Sequence, residues 1–287
     1  MEKLEPAIKK LAGKYTGKLA LFLGHLEKRP EGAITVDNAV YFYNLGVLLD
    51  DNGFIDLAIA LWEKVLPFCL TKNDALGMCQ CYSNIGAAHN TLSKHKQAIE
   101  YLEKGLEIAV TLSDTMAESI CYTNLGFAYE YTFDFNRSLE YYKKALVVEE
   151  DWAPVDRLSN LMSLGEMYNN MGNFKMALKY NTQALDIVIQ VKDPEVESVC
   201  YTNLGNTYGP MGNVEKAIAC HKIALSSAEK FKDLNGIAVS HGNLGIMYFY
   251  LGQYEKSLEY HRKALAMTIE TKDKMVEIML CKYGTCI

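Results

Sequence analysis

Arginine is scarce in this sequence of 287 residues: it occurs four times, and the 29 lysines and arginines together are outnumbered by 35 acidic residues. The net charge of −6 argues against nucleic-acid binding, which needs a clustered positive surface. No apolar run reaches about 18 residues, so the sequence predicts no membrane-spanning helix. The first residues also lack the apolar core of a signal peptide. We therefore expect a cytoplasmic protein that binds neither nucleic acid nor a membrane.

Signatures of catalysis are also missing from the sequence. There is no P-loop, no glycine-rich dinucleotide loop, no nucleophile elbow and no zinc-protease motif. The eight cysteines include one C-x-C pair but no second pair at zinc spacing, so we expect reduced thiols that pack in the interior. We expect no catalytic residue, no cofactor and no enzyme activity.

One sequence unit recurs six times along the chain. The hexapeptide CYTNLG occurs at Cys121 to Gly126 and returns at Cys200 to Gly205. Looser copies end at four other glycines, and successive glycines are 39 or 40 residues apart. A fixed period of this length is typical of an array built by duplication of one structural unit. The six glycines are Gly46, Gly86, Gly126, Gly165, Gly205 and Gly245.

Each unit contains two helical patterns. Tyr122, Leu125, Gly126 and Tyr129 recur at i, i+3, i+4 and i+7, which is one face of an α-helix. A second apolar pattern follows a short turn, in which glycine tolerates the left-handed conformation that ends a helix. The repeat glycine lies inside the first helix, where it costs about 1 kcal/mol relative to alanine. We expect it to let the second helix approach closely, because small residues stand opposite: Ala58, Ala98, Ser138, Ala177, Ala217 and Ser257.

The pattern resembles the tetratricopeptide repeat. That motif places W-x2-L-G-x2-Y before A-x3-F and a further alanine. Here the first half runs from Tyr122 to Tyr129, and the second half runs from Ala217 to Ala224. This long form with Asn-Leu-Gly is similar to the repeats of the LGN/Pins adaptors and the kinesin light chains. The resemblance implies an all-α fold, an α-solenoid in which antiparallel helix pairs form a right-handed superhelix.

The register of the repeats predicts how the chain is divided. Residues 1–30 resemble a degenerate helix pair that caps the N-terminal end, residues 31–275 contain six repeats, and residues 276–287 begin a further repeat or a C-terminal capping helix. Solenoids usually need a polar terminal cap. The C-terminal end is apolar, so self-association through it is a further expectation. The six repeats are expected at about 37–76, 77–116, 117–155, 156–195, 196–235 and 236–275.

A polar residue, usually asparagine, stands two positions before the repeat glycine. At about 100° per residue its side chain points away from the apolar face of the first helix, so we expect it outside the core. The resemblance implies that the first helices line a concave groove, where such amides pair with the backbone of an extended peptide. Two alternatives stay open: a relic of duplication, or hydrogen bonds between neighbouring helices. We call this set the amide ladder: Asn44, Asn84, Asn124, Ser163, Asn203 and Asn243.

Further residues on the same outward stripe complete the candidate peptide-binding groove. Two apolar pairs at i, i+4 lie on a face that should meet water, and exposed apolar patches often mark binding sites. Each aromatic residue can equally be an ordinary surface residue. The basic residues that hold a terminal carboxylate in chaperone-binding relatives are absent here. The additional groove residues are Phe127, Tyr131, Glu166, Asn170, Asn206, Ile246 and Tyr250.

Three histidines at regular spacing raise the question of a metal site. His221, His241 and His261 follow one another at intervals of 20 residues. Other repeats place large aromatic residues in the same slots, so we expect packing residues and no metal. A contact that depends on pH stays open.

These observations favour a non-catalytic scaffold or adaptor that binds an extended peptide segment of a partner protein in its groove. One alternative is a regulatory module that senses a ligand or peptide. A sensor would normally carry an output domain, and the sequence shows none. A second alternative is a targeting domain of a larger enzyme or assembly.

Overall fold

A computed structural model of the protein describes residues 36–271. The expectations for residues 1–30 and 276–287, including self-association, lie outside this range. All regular structure between residues 36 and 271 is helical: twelve α-helices and one short 3-10 helix, without a strand. The predicted all-α class is therefore confirmed. The handedness of the superhelix stays a prediction. The chain divides into two compact units, Met1–Glu150 and Asp151–Ile287.

The described part of the first unit consists of three helix pairs. In each pair the first and second helices pack against each other, and the second helix packs on the first helix of the next pair. The largest buried side chains of this unit include Trp62, Tyr142, Leu45 and Leu125. The helices are α1 (Val36–Asp51), α2 (Ile55–Lys72), α3 (Ala75–Thr91), α4 (His95–Leu112), α5 (Thr115–Tyr131) and α6 (Phe135–Val148).

The described part of the second unit begins with the 3-10 helix Pro154–Arg157 and continues with three more helix pairs. The first helix of its second pair is shorter than the first helix of its third pair, because Pro210 disfavours the helical conformation at Gly209. The helices are α7 (Leu158–Asn170), α8 (Phe174–Val191), α9 (Pro194–Tyr208), α10 (Val214–Phe231), α11 (Leu234–Tyr250) and α12 (Tyr254–Thr271).

The first helices of each unit pack on one another. In the first unit α1 packs on α3 and α3 packs on α5, and in the second unit α7 packs on α9 and α9 packs on α11. Among residues 36–271 the second helices of neighbouring repeats do not pack on one another to this extent. We call this side of each unit, where the first helices pack on one another, its inner side. That the inner side forms a concave groove stays a prediction.

The turn inside each repeat contains one residue with a left-handed backbone. Four repeats place glycine there, at Gly53, Gly172, Gly212 and Gly252. The third repeat instead has Phe133, with φ of 63° and 80% of its surface exposed. A side chain in this conformation costs roughly 1–2 kcal/mol, so this phenylalanine is held at the expense of stability.

Aspartate side chains cap the helices that follow Asp114 and Asp193 but not the one that follows Asp233. The side chain of Asp114 accepts a hydrogen bond from the backbone N–H of Ala117, and Asp193 accepts one from Val196. Such N-caps contribute about 1 kcal/mol each. Asp233 also precedes a helix, but its side chain forms no capping hydrogen bond.

The repeat glycines were expected to allow close approach of the second helix, and at Gly86 an added Cβ would lie 3.2 Å from the backbone carbonyl oxygen of Ala98. At all six glycines the nearest atoms belong to the side chain four residues after the small residue of the second helix, which the sequence reasoning did not predict. A Cβ atom on Gly126 would lie 2.7 Å from Cδ1 of Tyr142 and 2.8 Å from Cε1. The space of the missing side chain is thus filled by the partner ring. The covering side chains along the chain are Trp62, Leu102, Tyr142, Asn181, His221 and His261.

Candidate functional site

Two members of the amide ladder in the first unit are engaged within the protein. Nδ2 of Asn84 donates to the hydroxyl of Tyr43 at 2.9 Å, which joins α3 to α1. Burial raises the pKa of Tyr43, and this hydrogen bond acts in the opposite direction. Nδ2 of Asn124 donates to the carbonyl of Ile120 in its own helix at 2.9 Å, whereas Asn44 is exposed. Asn84 therefore follows the alternative of hydrogen bonds between neighbouring helices.

An aromatic cluster lies beside Asn124 on the inner side of the first unit. The rings of Phe127 and Tyr131 are 4.6 Å apart, and the ring of His95 stacks on Tyr131 at 4.9 Å. Phe127 is 37% exposed and Tyr131 55% exposed. Asn90 secures the cluster, because its Oδ1 lies 3.2 Å from Nδ1 of His95 and its Nδ2 donates to the backbone carbonyl of Asn124. We call Phe127, Tyr131 and His95 the aromatic cluster.

The predicted groove residues of the second unit differ in exposure. Glu166, Asn170, Asn206 and Tyr250 are exposed, whereas Ser163, Asn203 and Ile246 are half-buried. Asn243 is only 7% exposed, so the expectation that it lies outside the core is wrong. The angular position of Asn243 on its own helix predicts only the direction of the side chain. Neighbouring residues cover this side chain and keep it from water.

A cavity of about 730 Å³ opens on the inner side of the second unit. Its polar lining comes from Asn169 on α7, Asn206 on α9, Asn243 on α11 and His221 on α10. No group of the described residues pairs with Oδ1 of Asn169, Nδ2 of Asn243 or either ring nitrogen of His221. The other described lining residues are Gly209, Pro210, Gly212, Val214, Ile246, Met247 and Tyr250.

Charge on the inner surfaces is mainly acidic, and its environment favours the neutral forms. Burial raises the pKa of Asp50, and the neighbouring Asp51 raises it further. Glu166 remains accessible to solvent, yet the protein atoms around it raise the pKa of its carboxyl. Burial lowers the pKa of His221 to about 4, so this imidazole is neutral at pH 7.

The three regularly spaced histidines occupy separate places. His221 lies over Gly205 and His261 lies over Gly245, while His241 contacts the ring of Tyr260 with 5.7 Å between ring centroids. Among the described residues no three histidine, cysteine or acidic side chains come together as a metal site would require. The cysteines described here are free thiols, and burial raises the pKa of Cys81 to about 12. Thiols with such pKa values are poor nucleophiles.

Two residues of the inner surfaces, Asn90 and Asn169, escaped the sequence reasoning, and His221 was assigned only a packing role. Asn90 and Asn169 both stand four positions after a repeat glycine, so the repeat register contained a signal for them. His221 was recognised as a packing residue, but it lines the cavity together with Gly209, Pro210 and Gly212 of the connection after α9. The repeat pattern of the sequence does not predict this arrangement.

Comparison with known proteins agrees with the fold. Residues 82–147, 198–270 and 161–195 match the tetratricopeptide repeat. Comparison with curated proteins finds no significant match. Within residues 36–271 no helix is both long and apolar enough to cross a membrane.

Several solved structures are similar at low sequence identity. BtubC from P. vanneervenii superposes with a TM-score of 0.65 at 18% identity, over 76% of this chain and 92% of that one. A signal-transduction ATPase with a tetratricopeptide repeat sensor from Pyrococcus horikoshii gives a TM-score of 0.70 at 19% identity, over 86% of this chain and 41% of that one. The apo form of RapI gives a TM-score of 0.67 at 16% identity, over 88% of this chain and 92% of that one.

The motif matches and the stacked helix pairs agree on one fold. A family with this fold typically serves as a non-catalytic scaffold for protein interactions. The chain belongs to the tetratricopeptide repeat family.

Proposed function

We propose that the inner surface of the first helices binds an extended segment of a partner protein, so that the chain acts as a scaffold or adaptor. The observation that carries this proposal is the aromatic cluster. Phe127 and Tyr131 keep a large part of their apolar surface in water, and His95 and Asn90 hold them in one arrangement. Exposed apolar surface with fixed geometry is costly to maintain and is typical of binding sites.

The amides next to the cluster suit an extended backbone. Nδ2 of Asn124 donates to the carbonyl of Ile120 in its own helix, which leaves Oδ1 to accept from an N–H of the partner. Asn44 is exposed and Asn203 half-buried, so both can offer a donor and an acceptor. An extended segment presents N–H and C=O groups at every residue, and amides can bind these without reading the side chains.

The proposal can be tested without knowing the natural partner. Peptides that bind the intact chain are selected from a displayed random library, and the enriched sequences are synthesised and titrated. We expect Phe127→Ala with Tyr131→Ala to weaken binding of the selected peptides at least tenfold. The double variant Asn124→Ala with Asn203→Ala should weaken it about 5- to 150-fold, since two hydrogen bonds are lost.

A matched control uses an exposed apolar residue on an outer helix. Val147 on α6 is exposed to a similar or greater degree, so Val147→Ala removes apolar surface away from the inner side. Selected peptides should bind this variant as they bind the parent. Peptides that lose affinity for Val147→Ala but keep it for the aromatic and amide variants would refute the inner surface as the binding site.

A further inference from the structure

The cavity of the second unit lies where the fifth repeat departs from the pattern of the others. The two positions that end the first helix hold longer side chains in the other repeats, such as Glu130 with Tyr131 in the third. The fifth repeat has Gly209 and Pro210 there, and α9 ends before them at Tyr208. The space opens between α7, α9 and α11 at this point. Its volume lies within the range of about 300–1,000 Å³ that is usual for ligand sites.

Polar atoms in the cavity wall have no partner among the described residues. Nδ2 of Asn243 donates to no described group, and only 7% of the surface of this residue is exposed. Oδ1 of Asn169 is buried and accepts from no described group. A buried polar group without a hydrogen bond destabilises the folded state. Both atoms are covered, so an occupant pairs with them only when the two side chains turn toward the cavity, and it must then carry an acceptor for Nδ2 of Asn243 and a donor for Oδ1 of Asn169.

None of the described lining residues is charged. The one titratable side chain close to neutral pH, His221, is held in its neutral form by burial. A charged group in this cavity would lose its hydration without meeting an opposite charge. Val214, Ile246 and Met247 add apolar walls, which an uncharged aliphatic or amide-bearing side chain can contact.

The two unpaired amides stand on different helices, with α9 between α7 and α11. Packed helices are about 8–10 Å apart, so an occupant that reaches both amides spans roughly 16–20 Å. An extended chain covers about 3.3–3.6 Å per residue, which corresponds to about five or six residues. We propose that this cavity holds about five consecutive uncharged residues of an extended peptide, whose backbone pairs with Asn169 and Asn243. This inference rests on the proposed function and adds the chemistry of the segment.

The test uses three pools of synthetic pentapeptides with acetylated N-termini and amidated C-termini. The neutral pool contains Gly, Ala, Val, Leu, Ser, Thr, Asn and Gln at all positions, and two further pools carry Lys or Glu at the central position. Binding to the intact chain is followed by the ¹³C-methyl NMR signal of Met247, which lines the cavity. We expect the neutral pool to shift this signal, and the charged pools to require at least about 100-fold higher concentration.

Variants connect the signal to the cavity. Asn243→Leu should weaken binding of the neutral pool roughly 2- to 12-fold, the equivalent of one hydrogen bond, and should not unfold the protein because it removes an unpaired buried donor. Pro210→Tyr should fill the cavity and abolish the shift. Asn235→Leu changes an exposed asparagine at the other end of α11 and is the matched control.

Each outcome decides for or against the inference. Equal shifts from neutral and charged pools, or no shift with any pool up to the limit of solubility, would overturn it. A shift that persists in Pro210→Tyr would place the peptides elsewhere. The aromatic cluster variants of the first unit provide a separate readout, so the display experiment can support groove binding even when the cavity fails.

Discussion

His221 should make the second unit sensitive to acid. Its imidazole is completely buried over Gly205, and no described group pairs with either ring nitrogen. Burial lowers the pKa of His221 from 6.5 to about 4. Between these values the unfolded chain binds the proton and the folded protein does not, so acid favours unfolding. Stability is lost as the pH falls through 6.5, and the loss is complete once the pH is below about 4.

The size of the effect follows from the two pKa values. According to the linkage relation, His221 lowers the free energy of unfolding by about 0.2 kcal/mol at pH 7 and by about 2 kcal/mol at pH 5. His221→Leu removes this group and introduces the residue that the second repeat has in the same slot, Leu102. We therefore expect the variant to lose about 2 kcal/mol less stability than the parent between pH 7 and pH 5.

The two tryptophans allow the second unit to be followed by itself. Trp152 belongs to the second unit and Trp62 to the first, so a Trp62→Phe background leaves fluorescence from the second unit alone. Urea unfolding is measured at pH 7 and pH 5 for this background with and without His221→Leu. Burial also lowers the pKa of His241 and His261, and their share is common to both proteins. Equal losses of stability in the two proteins would refute a buried neutral His221.

Three further predictions concern stability and can be checked by thermal melting. Gly126→Leu should destabilise the fold by roughly 1–3 kcal/mol or more, because the new side chain meets the ring of Tyr142; an unchanged melting temperature would contradict this contact. Phe133→Gly should stabilise it by roughly 0.5–1 kcal/mol by relieving a left-handed phenylalanine, and a lower melting temperature would show that its ring contributes packing. Asn84→Ala should cost about 1 kcal/mol through loss of the bond to Tyr43, and a neutral result would discount that bond.

The helix pairs could be predicted because their signals are local and repeated. The pattern around Tyr122 and Tyr129 specifies one face of one helix, and six copies in register leave little room for another architecture. A solenoid adds each repeat to its neighbour through similar contacts, so a correct reading of one repeat extends to the next. The all-α class required no information about distant contacts.

The residues that contact each repeat position were harder to predict than the positions themselves. Small residues such as Ala58 stand near the repeat glycine in sequence register, but the side chain of Trp62 reaches over it. Side chains of a helix cover the surface around the turn before their own Cα atoms, so the covering residue is displaced from the one nominally opposite. In the sequence, the position whose side chain covers the repeat glycine is recognisable only because it holds tryptophan, tyrosine, leucine or histidine in most repeats.

The sequence predicts in which direction the side chains of the candidate site leave their helices, but not which residues surround them. Their angular positions on the first helices place Asn84, Asn124 and Asn243 on the same stripe. Contacts with other elements then give them different roles: Asn84 bonds Tyr43, Asn124 bonds its own helix, and Asn243 is covered in a cavity. These differences arise from residues on neighbouring repeats, which a pattern within one helix does not report.

Departures from the repeat pattern are therefore informative only together with their surroundings. Gly209 and Pro210 replace larger side chains at the end of α9, and this departure is visible in the sequence. A cavity lies beside this departure, lined by the amide side chains of Asn169 and Asn243 and by the apolar side chain of Met247, which packs against Gly209. Phe133 is a departure in the opposite direction, since it adds an exposed ring where glycine would be more stable. Both departures lie at the turn ends of first helices, where a change leaves the glycine contacts of the core untouched and can alter binding without altering the fold.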